Sequence, residues 1–153
     1  MAECRFIDLP TLTVVGLEAL CHGSDDVSAL WLQFNVRMDE VMPRGTVVAY
    51  GLCEPTQGGL RYLAGCEARP GSSSPAGMHR WILPGQRYAV FTHTGPVSEL
   101  SRTCDRAFAT LSSQGIVPAD EVIIERYDER FTGPVRPGSQ LDVLIPVAER
   151  TEV

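Results

Sequence analysis

The sequence predicts an α+β fold: a duplicated strand-helix-strand-strand unit forming a mostly antiparallel sheet, with two helices on one face and a ligand cleft between the halves. Three observations predict it. The same order of elements runs twice along the chain. Short matches recur at nearly constant spacing: Leu9-Pro10 returns as Leu83-Pro84 at an offset of 74, and Thr46-Val47-Val48-Ala49-Tyr50 lies over Glu121-Val122-Ile123-Ile124-Glu125 at an offset of 75. A Pro/Gly/Ser stretch from Arg69 to Gly77 separates the two runs. One domain over 1–153 follows, with pseudo-repeats at about 5–68 and 80–148, as 153 residues with 44% hydrophobic and 21% charged composition allow.

In chain order, Phe6 to Cys21 contains a β-rich run after Pro10 and is read as the first strand. Ser24 is a candidate N-cap, followed by Asp25 and Asp26 near the positive end of a helix dipole. Val27, Leu30, Trp31, Phe34, Met38 and Val41 share one helical face, and Pro43 is expected to close the helix. Trp31 and Phe34 are expected to pack against the sheet. Thr46–Cys53 and Leu60–Glu67 read as strands joined by a Gly/Pro hairpin loop over Glu54–Gly59. Arg69–Gly77 reads as a flexible connector.

The second half restarts at Trp81-Ile82-Leu83-Pro84-Gly85, which leads into a strand ending near Gly95. Pro96 suits a first helical turn, Val97, Leu100, Cys104, Phe108 and Leu111 mark a buried face, and Gly115 is a stop signal. Glu121–Tyr127 and Gln140–Val147 are the last strands, separated by a Pro/Gly loop at 132–138. With helices on one sheet face, the other face at the junction is expected to form a concave apolar groove. Tyr50, Tyr62, Tyr88, Phe91 and Tyr127 are the strand aromatics available to line it. Strand parity sets Tyr88 and Phe91 on opposite faces and puts His93 with Phe91.

Within the Glu121–Tyr127 strand, alternation directs Ile123, Glu125 and Tyr127 one way and Val122, Ile124 and Arg126 the other. A carboxylate on an apolar, aromatic face is costly unless compensated, which marks Glu125 as a candidate for holding a cation or for acid/base work. The alternative is an edge strand with Glu125 in water, or a pairing with one of the 13 basic residues, all of them Arg. The repeat makes Tyr50 the matching position to Glu125. Two such side chains across a junction are placed where ligand clefts commonly form.

Composition excludes several classes. The net charge is −6 and the arginines are scattered singly, so no basic stripe follows a nucleic-acid backbone. No window reaches the length of a membrane span and Met1-Ala2-Glu3-Cys4-Arg5 lacks the form of a signal peptide, so a cytoplasmic protein is expected, without membrane contact. The five cysteines are odd in number and contain no C-x-x-C, arguing for free thiols. His22, His79 and His93 have no metal-ligand spacing, and there is no G-x-S-x-G elbow or phosphate loop, so neither a metal nor a cofactor is expected. A reactive cysteine paired with His93 has no local signature.

Taken in order, these residues resemble the GyrI-like effector-binding domain family over almost the whole chain. The resemblance rests on Val14-Val15-Gly16-Leu17, Leu30-Trp31-x-x-Phe34, Tyr50-Gly51-Leu52-Cys53 and Tyr62-Leu63-Ala64-Gly65-Cys66-Glu67. It continues through Leu83-Pro84-Gly85-Gln86-Arg87-Tyr88-Ala89-Val90-Phe91-x-His93-x-Gly95-Pro96, Ile124-Glu125-Arg126-Tyr127 with Phe131, and Ile145-Pro146-Val147. It implies a duplicated unit with a cleft for amphipathic or cationic small molecules and a Glu of the penultimate strand at its base, the place Glu125 takes. Family members include sensor domains fused to DNA-binding helices, stand-alone proteins, a gyrase inhibitor, and hydrolases that open strained cyclopropane rings. No helix-turn-helix fits before residue 6, so promoter binding by this chain alone is not expected.

The sequence reading is therefore a stand-alone binding protein for an amphipathic or cationic xenobiotic, with no cofactor. Glu125 serves as charge partner, and Tyr50, Phe91, His93 and Tyr127 are candidate ligand contacts. The alternative is a hydrolase adding water to a strained electrophile, with Glu125 as general base, Tyr50 or Tyr127 as hydroxyl donor, and His93 as a proton relay. A gyrase-inhibitor-like interaction module is the third reading, and no exposed motif supports it.

Overall fold

The computed structural model describes residues 4–42, 48–69 and 71–148. Each half contains one strand more than the sequence pattern suggests, and prolines are the reason. Pro10 and Pro84 lack a backbone N–H for the ladder and end one strand before the next begins. The first segment therefore divides into β1 (Arg5–Leu9) and β2 (Leu12–Cys21), and its counterpart into β5 (His79–Leu83) and β6 (Gln86–Thr94). The remaining strands are β3 (Ala49–Thr56), β4 (Gly59–Glu67), β7 (Ile123–Tyr127) and β8 (Gln140–Val147). Helix α1 covers Ser24–Arg37 and α2 covers Leu100–Ser113.

Local signals explain most boundaries. Ser24 is the first residue of α1 and does not cap it; the N-cap is Gly23, and Asp26 instead reaches back to accept the His22 backbone N–H at 2.8 Å. The helix passes into a 3-10 turn at Met38–Glu40. Pro43, Thr46, Val47 and Pro70 lie outside the described residues. The β3 and β4 strands run further into the hairpin than expected, leaving Gln57 and Gly58 as the turn. Pro96 precedes a 3-10 turn at Val97–Glu99, and α2 begins only at Leu100. It ends at Ser113, and Gly115 just beyond, with a φ of 71°, allows the Ile116 N–H to close on Leu111 O at 2.9 Å. The connector is held by arginines, with Arg80 donating to Ser72 O at 2.6 Å and Arg37 to Ala76 O at 2.9 Å.

All eight strands form one antiparallel sheet in the order β1-β6-β8-β7-β3-β4-β2-β5. Exchanging β1 with β5, β2 with β6, β3 with β7 and β4 with β8 reverses this order onto itself. The register obeys the same exchange: Leu12 faces Leu83 in one half and Gln86 faces Leu9 in the other, each residue shifted by 74. The leading strand of each half thus pairs with the other half, which ties the two units together. The β3·β7 ladder lies at the centre, and there Gly51 faces Glu125.

Both helices lie on one sheet face. The α1 side packs Leu30 and Phe34 on Val15, Cys53, Tyr62 and Cys66; the α2 side packs Ala107 and Leu111 on Phe91, Leu141, Val143 and Ile145. Ile123 of β7 touches both clusters and so marks the line between the helices. On α2, Thr103, Ala107 and Leu111 are the buried positions and Phe108 remains 37% exposed, a face rotated from the expected stripe. Small residues at 103 and 107 let the helix approach the sheet closely.

The helix-free face is not an open groove. Leu12, Tyr50, Leu52, Trp81, Tyr88, Ile124 and Leu144, drawn from six strands, bury one another there without helical cover, which requires the sheet to curl into a half-barrel. Gly16 and Gly65, directly opposed in β2 and β4, permit part of that curl: a Cβ on Gly16 would meet Ala64 O at 2.0 Å, and one on Gly65 would meet Val15 O at 2.2 Å. The concave side is therefore core, and a site has to lie on the helix face.

Candidate ligand-binding site

Strand β7 is flanked by β3 and β8, so Glu125 is an interior strand residue with Gly51 on one side and Val143 on the other. Its carboxylate lies on the helix face, half-buried. Oε1 accepts the hydroxyls of Tyr62 at 2.6 Å and Tyr127 at 2.7 Å, while Oε2 accepts the Cys53 thiol at 3.4 Å. The Trp31 indole N–H donates to the Tyr62 hydroxyl at 2.9 Å, leaving the tyrosine proton to point at Glu125. All donors are neutral. Among the described residues Glu125 forms no ion pair, although arginines supply most of the ion pairs elsewhere.

Aromatic rings wall the carboxylate. Trp31 packs edge-on against Tyr127 at 5.2 Å between centroids, against Phe34 at 5.9 Å and against Tyr62 at 6.3 Å, and Phe131 packs on Tyr127 at 4.9 Å. Burial pushes the Tyr62 and Tyr127 hydroxyls well above the ordinary tyrosine range, and the adjacent Glu125 charge adds to it. Cys53 is raised well above a free thiol by the same two causes, and Cys104 to about 11. All four stay protonated at neutral pH, and Tyr62, Tyr127 and Cys53 serve as donors to Glu125.

Gly51 makes the arrangement fit. A Cβ built there would lie 2.1 Å from the Tyr62 hydroxyl oxygen and 2.8 Å from Glu125 Oε1. The space that a side chain on β3 would fill is occupied by the two hydrogen-bonded groups. One half of the molecule supplies the carboxylate and the other supplies the vacancy.

Of the residues singled out in the sequence, the structure brings Tyr127 to Glu125. Tyr50 is on the opposite face, 9% exposed and packed in the half-barrel core, because the register opposes Gly51, not Tyr50, to Glu125. Phe91 faces the helices but is enclosed beneath α2. His93 is 2% exposed; its Nε2–H donates to Pro96 O at 2.9 Å, so Nδ1 accepts the Thr103 hydroxyl at 2.6 Å, and both nitrogens are engaged away from Glu125. Tyr62, Cys53 and Trp31 complete the cluster; the sequence offers Tyr62 only as one of five strand aromatics and gives none of the three a role at Glu125. A two-residue turn at Gln57-Gly58 fixes the register that opposes Cys53 to Tyr62 and was the available signal for both. Trp31 was assigned to packing, and its indole N–H carried no sequence signal. No group of three His, Cys, Asp or Glu side chains among the described residues is placed to hold a metal ion, and none of the described helices is long and apolar enough to cross a membrane.

Comparison with known proteins shows the family and the fold. The model of the GyrI-like small molecule binding domain matches residues 2–148. The transcriptional regulator BrlR of Pseudomonas aeruginosa is 35% identical over 149 residues, covering 95% of this chain and 55% of the regulator; the chain thus spans about half the length of that relative. The structure of SAV2435 bound to tetraphenylphosphonium superposes with a TM-score of 0.76 at 16% identity, over 96% of this chain and 94% of that one. A hydrolase encoded by lin2189 from Listeria innocua gives 0.60 at 12% identity, over 95% and 92%. At such identities the two structures speak to fold alone.

Proposed function

Because the chain belongs to the GyrI-like small molecule binding domain family, we propose that it binds an amphipathic, cationic xenobiotic with Glu125 as the charge partner. The observation that carries this reading is a carboxylate set among aromatic rings which, among the described residues, is hydrogen-bonded by neutral donors and paired with no cation. A lipophilic cation gains Coulombic attraction where screening is poor, plus about 0.5–2 kcal/mol for each ring face it contacts. Tetraphenylphosphonium, carried by a protein of the same fold, is a cation of this type. Trp31 lies over Tyr62 and Tyr127, so an incoming ligand takes the place of the indole against those rings.

The test is thermal unfolding with tetraphenylphosphonium. At a hundredfold excess over Kd, binding adds about 2.7 kcal/mol, or roughly 5–10 °C in Tm for a chain of this size. Glu125→Gln preserves a carbonyl acceptor for both phenols and is expected to keep the fold while losing most of the shift. An equal shift in both proteins removes Glu125 from the reading.

A second reading is hydrolysis of a strained cyclopropane-type electrophile, favoured by Oε2, whose one donor among the described residues is the Cys53 thiol at 3.4 Å, which leaves it lone-pair capacity as a base. It predicts a water adduct detectable by mass spectrometry and lost in Glu125→Ala. Recovery of only unmodified compound across a broad panel ends it.

A further inference from the structure

A depression of about 660 Å³ opens where β7 begins. It is lined by Pro55, Thr56 and Gln57 at the β3 end of the hairpin, by Phe108 of α2, and by Pro118, Asp120, Glu121 and Ile123. No arginine lines it. Ile123 lies on the same strand face as Glu125, two residues or about 6.7 Å away along the chain, and is directly opposed by Cys53, whose thiol reaches Glu125. The depression thus adjoins the candidate site along β7, through Ile123 and the Cys53 opposed to it. Neither Asp120 nor Glu121 forms an ion pair among the described residues.

We propose that this depression is an outer subsite for an elongated bis-cation, whose one end reaches Glu125, whose apolar body lies over Ile123 and Phe108, and whose second positive end rests between Asp120 and Glu121. The inference builds on the reading of Glu125 as a cation partner. It is carried by the adjacency of Ile123 and Glu125 on one strand face and by charge complementarity: a depression lined by Ile123 and Phe108, with two carboxylates free of ion pairs among the described residues, matches a cation–apolar linker–cation ligand. Glu121 and Glu125 are four residues apart on a chain that bends at Glu121, so their backbones lie no more than about 14 Å apart. Exposed carboxylates each contribute a few-fold in affinity, screened by salt.

Calorimetric titration with decamethonium and decyltrimethylammonium, the latter below its micelle concentration, tests this. The two share head group and chain and differ by the second charge. Native protein is expected to bind the bis-cation about tenfold tighter at low salt, an advantage shrinking as salt is raised. In the Asp120→Asn/Glu121→Gln variant, which keeps the carbonyl that accepts the Glu121 N–H at 2.6 Å, the two probes should bind alike and the mono-cation should retain its native affinity. A bis-cation advantage under twofold in native protein, or one that survives in the variant, overturns the outer subsite and leaves Glu125 untouched. If neither probe nor tetraphenylphosphonium binds the native protein, both readings fall.

Discussion

Gly51 and Glu125 occupy matching places on the two central strands, yet one has no side chain and the other carries the charge. The same contrast recurs nearby. Glu18, Leu63 and Leu52 lie side by side across β2, β4 and β3; the corresponding trio across β6, β8 and β7 is Thr92, Asp142 and Arg126. Leu63 is packed in the half-barrel core, whereas Asp142 is buried with its charge and bonded to Thr92, Arg130 and Arg5 at 2.7, 2.6 and 3.1 Å. Backbone pairing is preserved between the halves and the chemistry is not. Duplication supplies a rigid two-fold frame, and the polar features arise where the symmetry is broken.

The strongest way to break the comparison is to fill the vacancy. Gly51→Ala places a Cβ where the Tyr62 hydroxyl and ring carbon and Glu125 Oε1 already lie within 2.8 Å. It is expected to cost about 2–3 kcal/mol by overpacking and to abolish cation binding. The atoms that must yield belong to the cluster, so the effect should depend on them. In a Tyr62→Leu background, which removes the hydroxyl and the ring, the same substitution is expected to cost under about 1 kcal/mol in denaturant unfolding. An undiminished cost would mean that Gly51 acts on the backbone and not on the cluster.

Next in size is the buried charge of the second half. Asp142→Ala leaves the Arg130 guanidinium and the Thr92 hydroxyl without a shared partner and, with Arg130 still bonded to Asp128, is expected to cost about 2 kcal/mol. Asp142→Leu, imitating Leu63, should cost less than Asp142→Ala, since apolar volume offsets part of the loss. The same network sets an acid limit. Hydrogen bonds from Arg130 hold the Asp128 carboxyl below its ordinary value. A carboxyl depressed on folding contributes stability above its unfolded pKa, about 3.9, and that stability is lost as pH falls through the folded value. Unfolding free energy should therefore decline below about pH 4, and less so in Asp128→Asn.

Much of this fold was legible because strand and helix signals are local. Gln140–Val147 alternates cleanly, Gly115 marks a helix end, and the two helices and the antiparallel sheet follow from periodicity. What was not legible is register. The match of Tyr50 with Glu125 at an offset of 75 aligned β-branched residues that any strand could share. Opposed residues on β3 and β7 are always an even number apart, and the pair that the frame exchanges is separated by 74, the spacing of the Leu-Pro repeat. A slip of one residue turns every side chain to the other face, and it carried Tyr50 into the core and hid Gly51. Tyr62 and Trp31 escaped for a different reason: aromatic residues on packed faces look alike until their polar atoms find partners.

The smallest test concerns His93, whose matching place on β2 is Ala19. In the first half that position needs no polar partner; in the second, the imidazole is enclosed and Thr103 supplies the hydroxyl its Nδ1 accepts. Thr103→Val keeps the volume and removes that donor, stranding a buried nitrogen at an expected cost of about 1–2 kcal/mol. Since both ring nitrogens are engaged within the α2 side, cation binding at Glu125 should be unchanged within about twofold when titrated in the variant. A larger loss of affinity would join His93 to the ligand site, while an unchanged stability would mean that water replaces the hydroxyl.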